Sequence, residues 1–173
     1  MNLDTYVNVR NQMNTGDLIL FAGRSWLSRK IIKYAGGYSH VAMVLREKPY
    51  ETVRFLMVHS YPRAGVVKVA LSRFLQSYDG RVWWKPMNHG SMASIKQAYR
   101  EIVQDTALSV MGQPYDWSGV LSYVLPWVKP DPDSFYCSEF VATVLSRLGL
   151  TDQEKMTPLE VSRMGCFLEA TEL

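Results

Sequence analysis

The sequence has few cysteines and few histidines, the residues that build covalent scaffolds and carry most acid–base chemistry near neutral pH. Among its 173 residues are two cysteines, Cys137 and Cys166, and three histidines, His40, His59 and His89. Disulfide scaffolds normally have more cysteines in a shorter, loop-rich chain. We therefore expect a fold that does not depend on disulfides.

Long hydrophobic runs and runs of like charge are also missing. The most apolar stretch, Trp117 to Val128, is broken by Pro126 and is shorter than the roughly 20 residues of a membrane-spanning helix. The 19 Lys and Arg residues and the 16 Asp and Glu residues are scattered along the chain. The amino-terminal residues lack the basic start and apolar core of a secretory signal. We therefore expect no stable membrane insertion, no nucleic-acid partner, and a protein that is cytoplasmic as synthesised, with export by another route left open.

The composition is otherwise that of a globular domain. Hydrophobic residues make up 47% and charged residues 20% of the chain, and a chain of this length can bury most of its apolar surface in one core. We interpret the proline-containing stretch Lys129 to Ser134 as a loop within the domain. One domain over residues 1–173 is therefore expected.

Hydrophobic periodicity predicts strands mainly in the first half of the chain and helices mainly in the second. The predicted strands are Asp17 to Ala22, Ser39 to Leu45, Val53 to Ser60, Val66 to Ala70 and Arg81 to Lys85. The predicted helices are Ser25 to Tyr34, Ser91 to Val110 and Ser138 to Leu148. Strands clustered before most of the helices indicate an α+β domain.

Cys137 lies where the proline-containing loop meets a predicted helix. The N–H groups at a helix start carry partial positive charge, which favours a thiolate. The same groups can stabilise the oxyanion that forms when a thiolate attacks a carbonyl. The alternative is a small buried hydrophobic residue, because unpaired cysteines are often buried. Cys166 lacks such a setting and is expected to be a packing residue.

Two of the histidines lie on predicted strands. His40 shares a strand face with Ala42 and Val44, and we expect these small neighbours to leave room for the start of the cysteine helix. His59 ends the next strand, so the two rings become neighbours if the strands pair. The alternative is that both are solvated strand residues. His89, in a loop before a helix, is given no role.

The histidines are not accompanied by closely spaced ligands of the kind that metal sites use. We therefore predict no metal site and no cofactor.

Three segments of the chain resemble those of the permuted NlpC/P60 hydrolases, a papain-like superfamily. They are Gly16 to Leu20 (GDLIL), Tyr38 to Val44 (YSHVAMV) and Tyr136 to Val141 (YCSEFV). Gly112 to Trp117 is similar to the family's segment before the cysteine helix. Ordinary papain-like enzymes have the cysteine helix first, whereas here the histidine comes first. The YiiX/YaeF-like branch, related to the lecithin:retinol acyltransferase group, fits best.

The resemblance implies a circularly permuted papain-like fold, with an antiparallel sheet packed against helices that include the cysteine helix. It implies that Cys137 is the nucleophile and His40 its base, and it places the third polar residue on or beside His59. Many YiiX-like members carry an acidic residue there, whereas the lecithin:retinol acyltransferase group uses histidine. This departure leaves the role of His59 and the substrate class open.

The expected chemistry follows from these roles. We predict an ion pair between His40 and Cys137, and an acyl-enzyme that water hydrolyses. The backbone N–H of Cys137, helped by Tyr38 or Tyr115, is expected to stabilise the oxyanion.

The substrate is expected to be a peptide or an acyl-containing molecule. The first hypothesis is an amidase or endopeptidase that acts on cell-wall peptides, which are the natural substrate class of the wider superfamily. The second is a lipid-directed thiol hydrolase or acyltransferase, because the apolar segment Trp117 to Trp127 could line an acyl-chain pocket. The third is an inactive papain-like module that binds a partner. Oligomeric state does not follow from these residues.

Overall fold

A computed structural model describes residues 3–47, 54–61, 64–88, 93–116, 118, 137–153 and 155–173. Its strands are β1 (Leu18–Gly23), β2 (His40–Glu47), β3 (Arg54–Tyr61), β4 (Gly65–Ala70), β5 (Gly80–Lys85) and β6 (Thr171–Glu172). Its α-helices are α1 (Leu3–Val9), α2 (Trp26–Ala35), α3 (Leu71–Ser77), α4 (Ala93–Val110), α5 (Cys137–Arg147) and α6 (Pro158–Ser162). A short 3-10 helix, Arg10–Gln12, follows α1.

The six strands form one antiparallel sheet in the order β4-β3-β2-β1-β5-β6. Strand β1 is entirely apolar, and β2 carries a run of five buried apolar residues from Val41 to Leu45, because both faces of the sheet are covered there. Leu18, Ile19, Leu20 and Phe21 of β1 are all fully buried, which explains why β1 is a continuous apolar run and not an alternating one.

The two faces of the sheet belong to two separate core clusters, as the two-residue period of a strand requires. One face joins Val41, Met43 and Leu45 of β2 to the apolar side of α5 and to α4. The other face joins Ala42 and Val44 to Leu71 and Leu75 of α3 and to α1. Helices therefore pack on both sides of β2.

Asp17 fixes the start of β1. Its carboxylate accepts hydrogen bonds from the backbone N–H of Asn14 (2.8 Å), the indole N–H of Trp84 (2.8 Å) and the backbone N–H of Met87 (2.9 Å). Burial is the largest effect on this carboxyl and raises its pKa, and the three donors partly oppose that shift. The bonds tie β1 to β5 and hold the centre of the sheet in place.

The α+β class, the antiparallel sheet and its packing against helices are confirmed. The short helices α1, α3 and α6 and the strand β6 were not predicted. In α3 two residues are buried, Leu71 and Leu75, and one such pair is too little for a periodic signal. The predicted segments Trp117 to Trp127 (apart from Ser118) and Lys129 to Ser134 lie outside the described residues. The single-domain organisation stays a prediction.

None of the helices in the described ranges combines the length and the apolar character that crossing a membrane requires.

Candidate active site

Strands β2 and β3 separate at the end of the sheet where both strand histidines lie. Their pairing runs from Glu47 and Arg54 to Met43 and Val58 and stops there. The pairing of β2 with β1 continues to His40, and the pairing of β3 with β4 continues to Tyr61. The first residues of β2 therefore have no ladder partner on the β3 side, and the two histidines meet at this opening.

His40 and His59 face each other across this opening. Nε2 of His40 lies 3.0 Å from Nδ1 of His59, so the predicted neighbourhood of the two rings is confirmed. Apolar rings enclose the pair. Phe21 lies 5.3 Å from the His40 ring and Phe74 lies 5.3 Å from the His59 ring, measured between centroids. His59 is 1% exposed, and the solvated-histidine alternative is therefore wrong for this residue.

The enclosed setting keeps both imidazoles neutral. Burial lowers the pKa of His59 from 6.5 to about 4. Burial also lowers the pKa of His40 well below 6.5, and the charge of His59 lowers it further. A neutral imidazole has one donor nitrogen and one acceptor nitrogen. The hydrogen bond between the two rings therefore uses the donor nitrogen of one ring and the acceptor nitrogen of the other. If Nε2 of His40 is the donor, its Nδ1 is the nitrogen that can take a proton.

Cys137 is the first residue of α5, as predicted, and its thiol lies beside the start of β2. The backbone N–H groups of Val41, Ser138 and Cys137 itself interact with the sulfur and lower the pKa of the thiol. Val41 directly follows His40, so the sulfur lies one peptide unit from the His40 backbone. Burial is the larger effect, and it raises the pKa of Cys137 to about 11.

One expectation about this site is corrected by the structure, and a second is opposed by burial. The cysteine helix does not approach from the face that His40 shares with Ala42 and Val44, because α3 and α1 cover that face. The cysteine helix packs on the Val41 side of β2, and its first residue lies beside the start of that strand. The predicted thiolate–imidazolium pair is opposed by burial, which raises the pKa of Cys137 and lowers that of His40. These shifts work against the charged forms, and the ion pair stays a prediction.

Ser138 adds a polar group that the sequence did not single out. Its side chain is fully buried next to the thiol and lowers the pKa of Cys137 slightly. Its hydroxyl oxygen forms no hydrogen bond of normal geometry. The sequence signal was the dipeptide Cys-Ser at a helix start, where a serine commonly caps the helix instead.

A cavity of about 270 Å³ borders His40. Its apolar wall is made by Leu27 and Ile31 of α2, Phe74 and Tyr78 from the α3 region, and Tyr115. Polar groups from Arg24, Asp79 and three serines (Ser25, Ser28 and Ser39) complete the lining. Cys137 is itself described by the structure, and it is not one of the residues that line this cavity. The segment 119–136, which leads to Cys137, lies outside the described residues.

The other predicted residues lie in different places. Tyr115 lines the cavity together with His40. The ring of Tyr38 packs edge-on against Trp83, with 5.2 Å between centroids. Cys166 is unpaired and half-buried at the edge of the α5 core cluster, in agreement with its expected packing role. His89 lies outside the described residues. A role for either tyrosine at the oxyanion stays a prediction.

The comparisons with known proteins agree with this architecture. The model of the permuted papain-like amidase enzymes, the YaeF/YiiX family, matches residues 12–164. Among solved structures, the chain is similar to one described as the metalloprotein YiiX from Escherichia coli, with a TM-score of 0.68 and 19% sequence identity over 94% of this chain and 97% of that chain. No curated protein matches the sequence. With nine-tenths of its length matched by the family model and its fold shared with YiiX, the chain belongs to the YaeF/YiiX family of permuted papain-like amidases.

Proposed function

We propose that the chain is a cysteine amidase in which Cys137 is the nucleophile, His40 the proton carrier and His59 the residue that orients His40. The observation that supports the proposal is the arrangement at the start of β2. A thiol at a helix start lies beside the N–H of Val41, and the adjacent His40 is held by His59 at 3.0 Å.

The proposed reaction starts from the neutral thiol and the neutral imidazole. In the proposed first step the Cys137 thiol gives its proton to His40 as the sulfur attacks the amide carbonyl, as in general-base activation of a nucleophile. The backbone N–H groups at the start of α5 stabilise the oxyanion. The tetrahedral adduct then expels the amine, which takes the proton from His40, and leaves an acyl-thioester on Cys137. Water adds to the thioester through the same base, releasing the acid and restoring the thiol.

Two substrate classes are proposed. Cell-wall peptides are the first, and this class rests on the substrates expected for the wider superfamily. Amides or esters of lipids are the second, and the cavity beside His40 favours them because five aliphatic or aromatic side chains form one wall of it. Apolar walls with a few polar groups suit an apolar acyl group better than a polar peptide stem.

Metal ligation at this site is not supported by the arrangement of side chains. YiiX is described as a metalloprotein. Within the described ranges of this chain, no three His, Cys, Asp or Glu side chains gather as metal ligands would. His40 and His59 bond to each other, and the proposal routes no step through a metal.

The test compares wild type with Cys137→Ala on purified cell-wall peptides and on N-acyl lipid amides, with products read by mass spectrometry. We expect wild type to cleave one class and to carry a transient acyl mass on the peptide that contains Cys137. The variant should lose activity by at least about 10³-fold while it keeps its circular dichroism spectrum. The matched control is Cys166→Ala, which should retain activity. Turnover that survives Cys137→Ala would overturn the proposal.

A further inference from the structure

Helix α2 presents an exposed face made of aromatic and basic side chains. Trp26 is 68% exposed and Tyr34 is 54% exposed, both large fractions for aromatic residues. Trp26, Lys30 and Tyr34 follow one another at intervals of four residues, so they lie along one side of the helix. Arg29 and Lys33 lie beside this row and are exposed. We call these five residues the α2 face.

The α2 face carries positive charge and no negative charge. No Asp or Glu occurs between Arg24 and Gly37. Arg24, just before the helix, is paired with Asp79 at 3.3 Å and lies outside the face. The ammonium groups of the face lie near its own rings, with Lys30 5.7 Å from the Trp26 ring centroid and Lys33 5.9 Å from that of Tyr34. The partner that complements this face is therefore anionic.

We infer that the α2 face docks the protein on an anionic lipid bilayer. Trp and Tyr have an apolar ring with a polar edge, which suits the level of the lipid headgroups. Lysine stems can lie along the apolar boundary while their ammonium groups reach the lipid phosphates. Each basic residue at an anionic surface adds to the binding, and salt weakens that part. The combination on one helix face is that of a peripheral, reversible contact.

The position of α2 places this contact close to the cavity that borders His40. The inward side of the same helix supplies Leu27 and Ile31 to the wall of the cavity that borders His40. A helix is about 10 Å across, so docking through the outer side brings the cavity within one helix diameter of the bilayer. The inference concerns binding alone and stands or falls independently of the proposed amidase chemistry.

The experiment is co-sedimentation of the full chain with vesicles of phosphatidylcholine alone and of phosphatidylcholine with 30% phosphatidylglycerol. We expect binding to the anionic vesicles only, weakening as salt is raised. Lys30→Glu/Lys33→Glu should reduce the partition coefficient at least about 10-fold, and Trp26→Ala/Tyr34→Ala should reduce it severalfold. All four side chains lie on an outer helix face, so the variants should keep their fold. Thermal unfolding checks this.

Matched controls use exposed residues on other helices. Leu108→Ala, at a side chain that is 66% exposed on α4, and Arg73→Glu, at an exposed arginine of α3, should bind anionic vesicles like wild type. Equal binding to both vesicle types, or no binding to either, would overturn the inference. So would α2-face variants that bind like wild type, a polyanion such as heparin that binds while vesicles do not, or light scattering that shows the face holding two copies of the chain together.

Discussion

Nε2 of His40 and Nδ1 of His59 lie 3.0 Å apart at the point where their strands have stopped pairing. A normal ladder would place main-chain hydrogen bonds there. Instead a side-chain bond spans the opening, and the backbone N–H of Val41 is directed to the thiol of Cys137. The local loss of strand pairing thus provides both a fixed imidazole and a donor for the nucleophile.

His59 is predicted to act by orienting His40. His59→Ala should lower kcat by about 10²-fold, because the His40 ring loses the acceptor that fixes its tautomer. His59→Asn should recover part of this loss, since its amide oxygen can take the place of Nδ1. The charge of His59 lowers the pKa of His40, so the acidic limb of the kcat/KM profile should move to higher pH in His59→Ala.

The control for this series is His89→Ala, which should leave both kcat and the pH profile as in wild type. A His59→Ala variant with wild-type kcat and an unshifted profile would reduce His59 to a packing residue.

The alkylation of Cys137 is predicted to need alkaline pH in the free protein. Because burial raises the pKa of this thiol to about 11, the reactive thiolate is scarce at neutral pH. In a Cys166→Ser background, the rate of iodoacetamide labelling should rise about tenfold per pH unit between pH 7 and 10. Mass spectrometry of the labelled peptide measures this rate. A plateau that begins below pH 7 would show that the ion pair predicted from the sequence exists after all.

The stability of the fold is predicted to fall in mild acid through the buried histidines. The folded-state pKa of His59 is lowered to about 4 from 6.5. The unfolded chain therefore binds a proton that the folded chain does not, and stability present above pH 6.5 is lost as the pH falls toward 4. From pH 6.5 to 5 the contribution of His59 is on the order of 1 to 2 kcal/mol, and His40 acts in the same direction.

Urea unfolding at a series of pH values measures this dependence. His40→Phe/His59→Phe should flatten the curve between pH 6.5 and 5, where carboxylates contribute little. A wild-type unfolding free energy that is constant over this range would contradict the assigned burial of the two rings.

Gly65 is predicted to tolerate no side chain. It has a φ of +66°, and a Cβ there would collide with the backbone of Gln113. The close approach lets the N–H of Val66 donate to the carbonyl of Gln113 at 2.9 Å, which fixes the segment leading to Tyr115. Gly65→Ala should cost at least about 2 kcal/mol of unfolding free energy, measured by urea denaturation, and should lower activity through the displaced cavity wall.

Gly165→Ala is the matched control. A Cβ at Gly165 meets no atom within 4 Å and its backbone is not in the left-handed region, so its unfolding midpoint should stay near that of wild type. Equal stability of the two alanine variants would show that the Gln113 segment can move aside.

Local sequence patterns are enough to predict the elements that carry the candidate site. The apolar run after Gly16, the strand that begins at His40 and the amphipathic helix that begins at Cys137 are set by local periodicity and turn residues, which act over a few neighbouring positions. The order of histidine before cysteine is likewise a property of the chain, and with the motifs it identified the family.

Long-range packing sets which face of β2 the cysteine helix covers and how strongly burial opposes charge at the site. Strand alternation offers two equivalent faces, and the choice between them depends on α3, whose seven residues give too weak a pattern to be predicted. In water, the partial positive charge at a helix start favours the thiolate form of a cysteine. In the folded protein, α5, β2 and the aromatic rings around the histidines exclude that water. Desolvation is a sum over residues distant in the chain, and for this reason no motif shows how strongly burial opposes the charged pair.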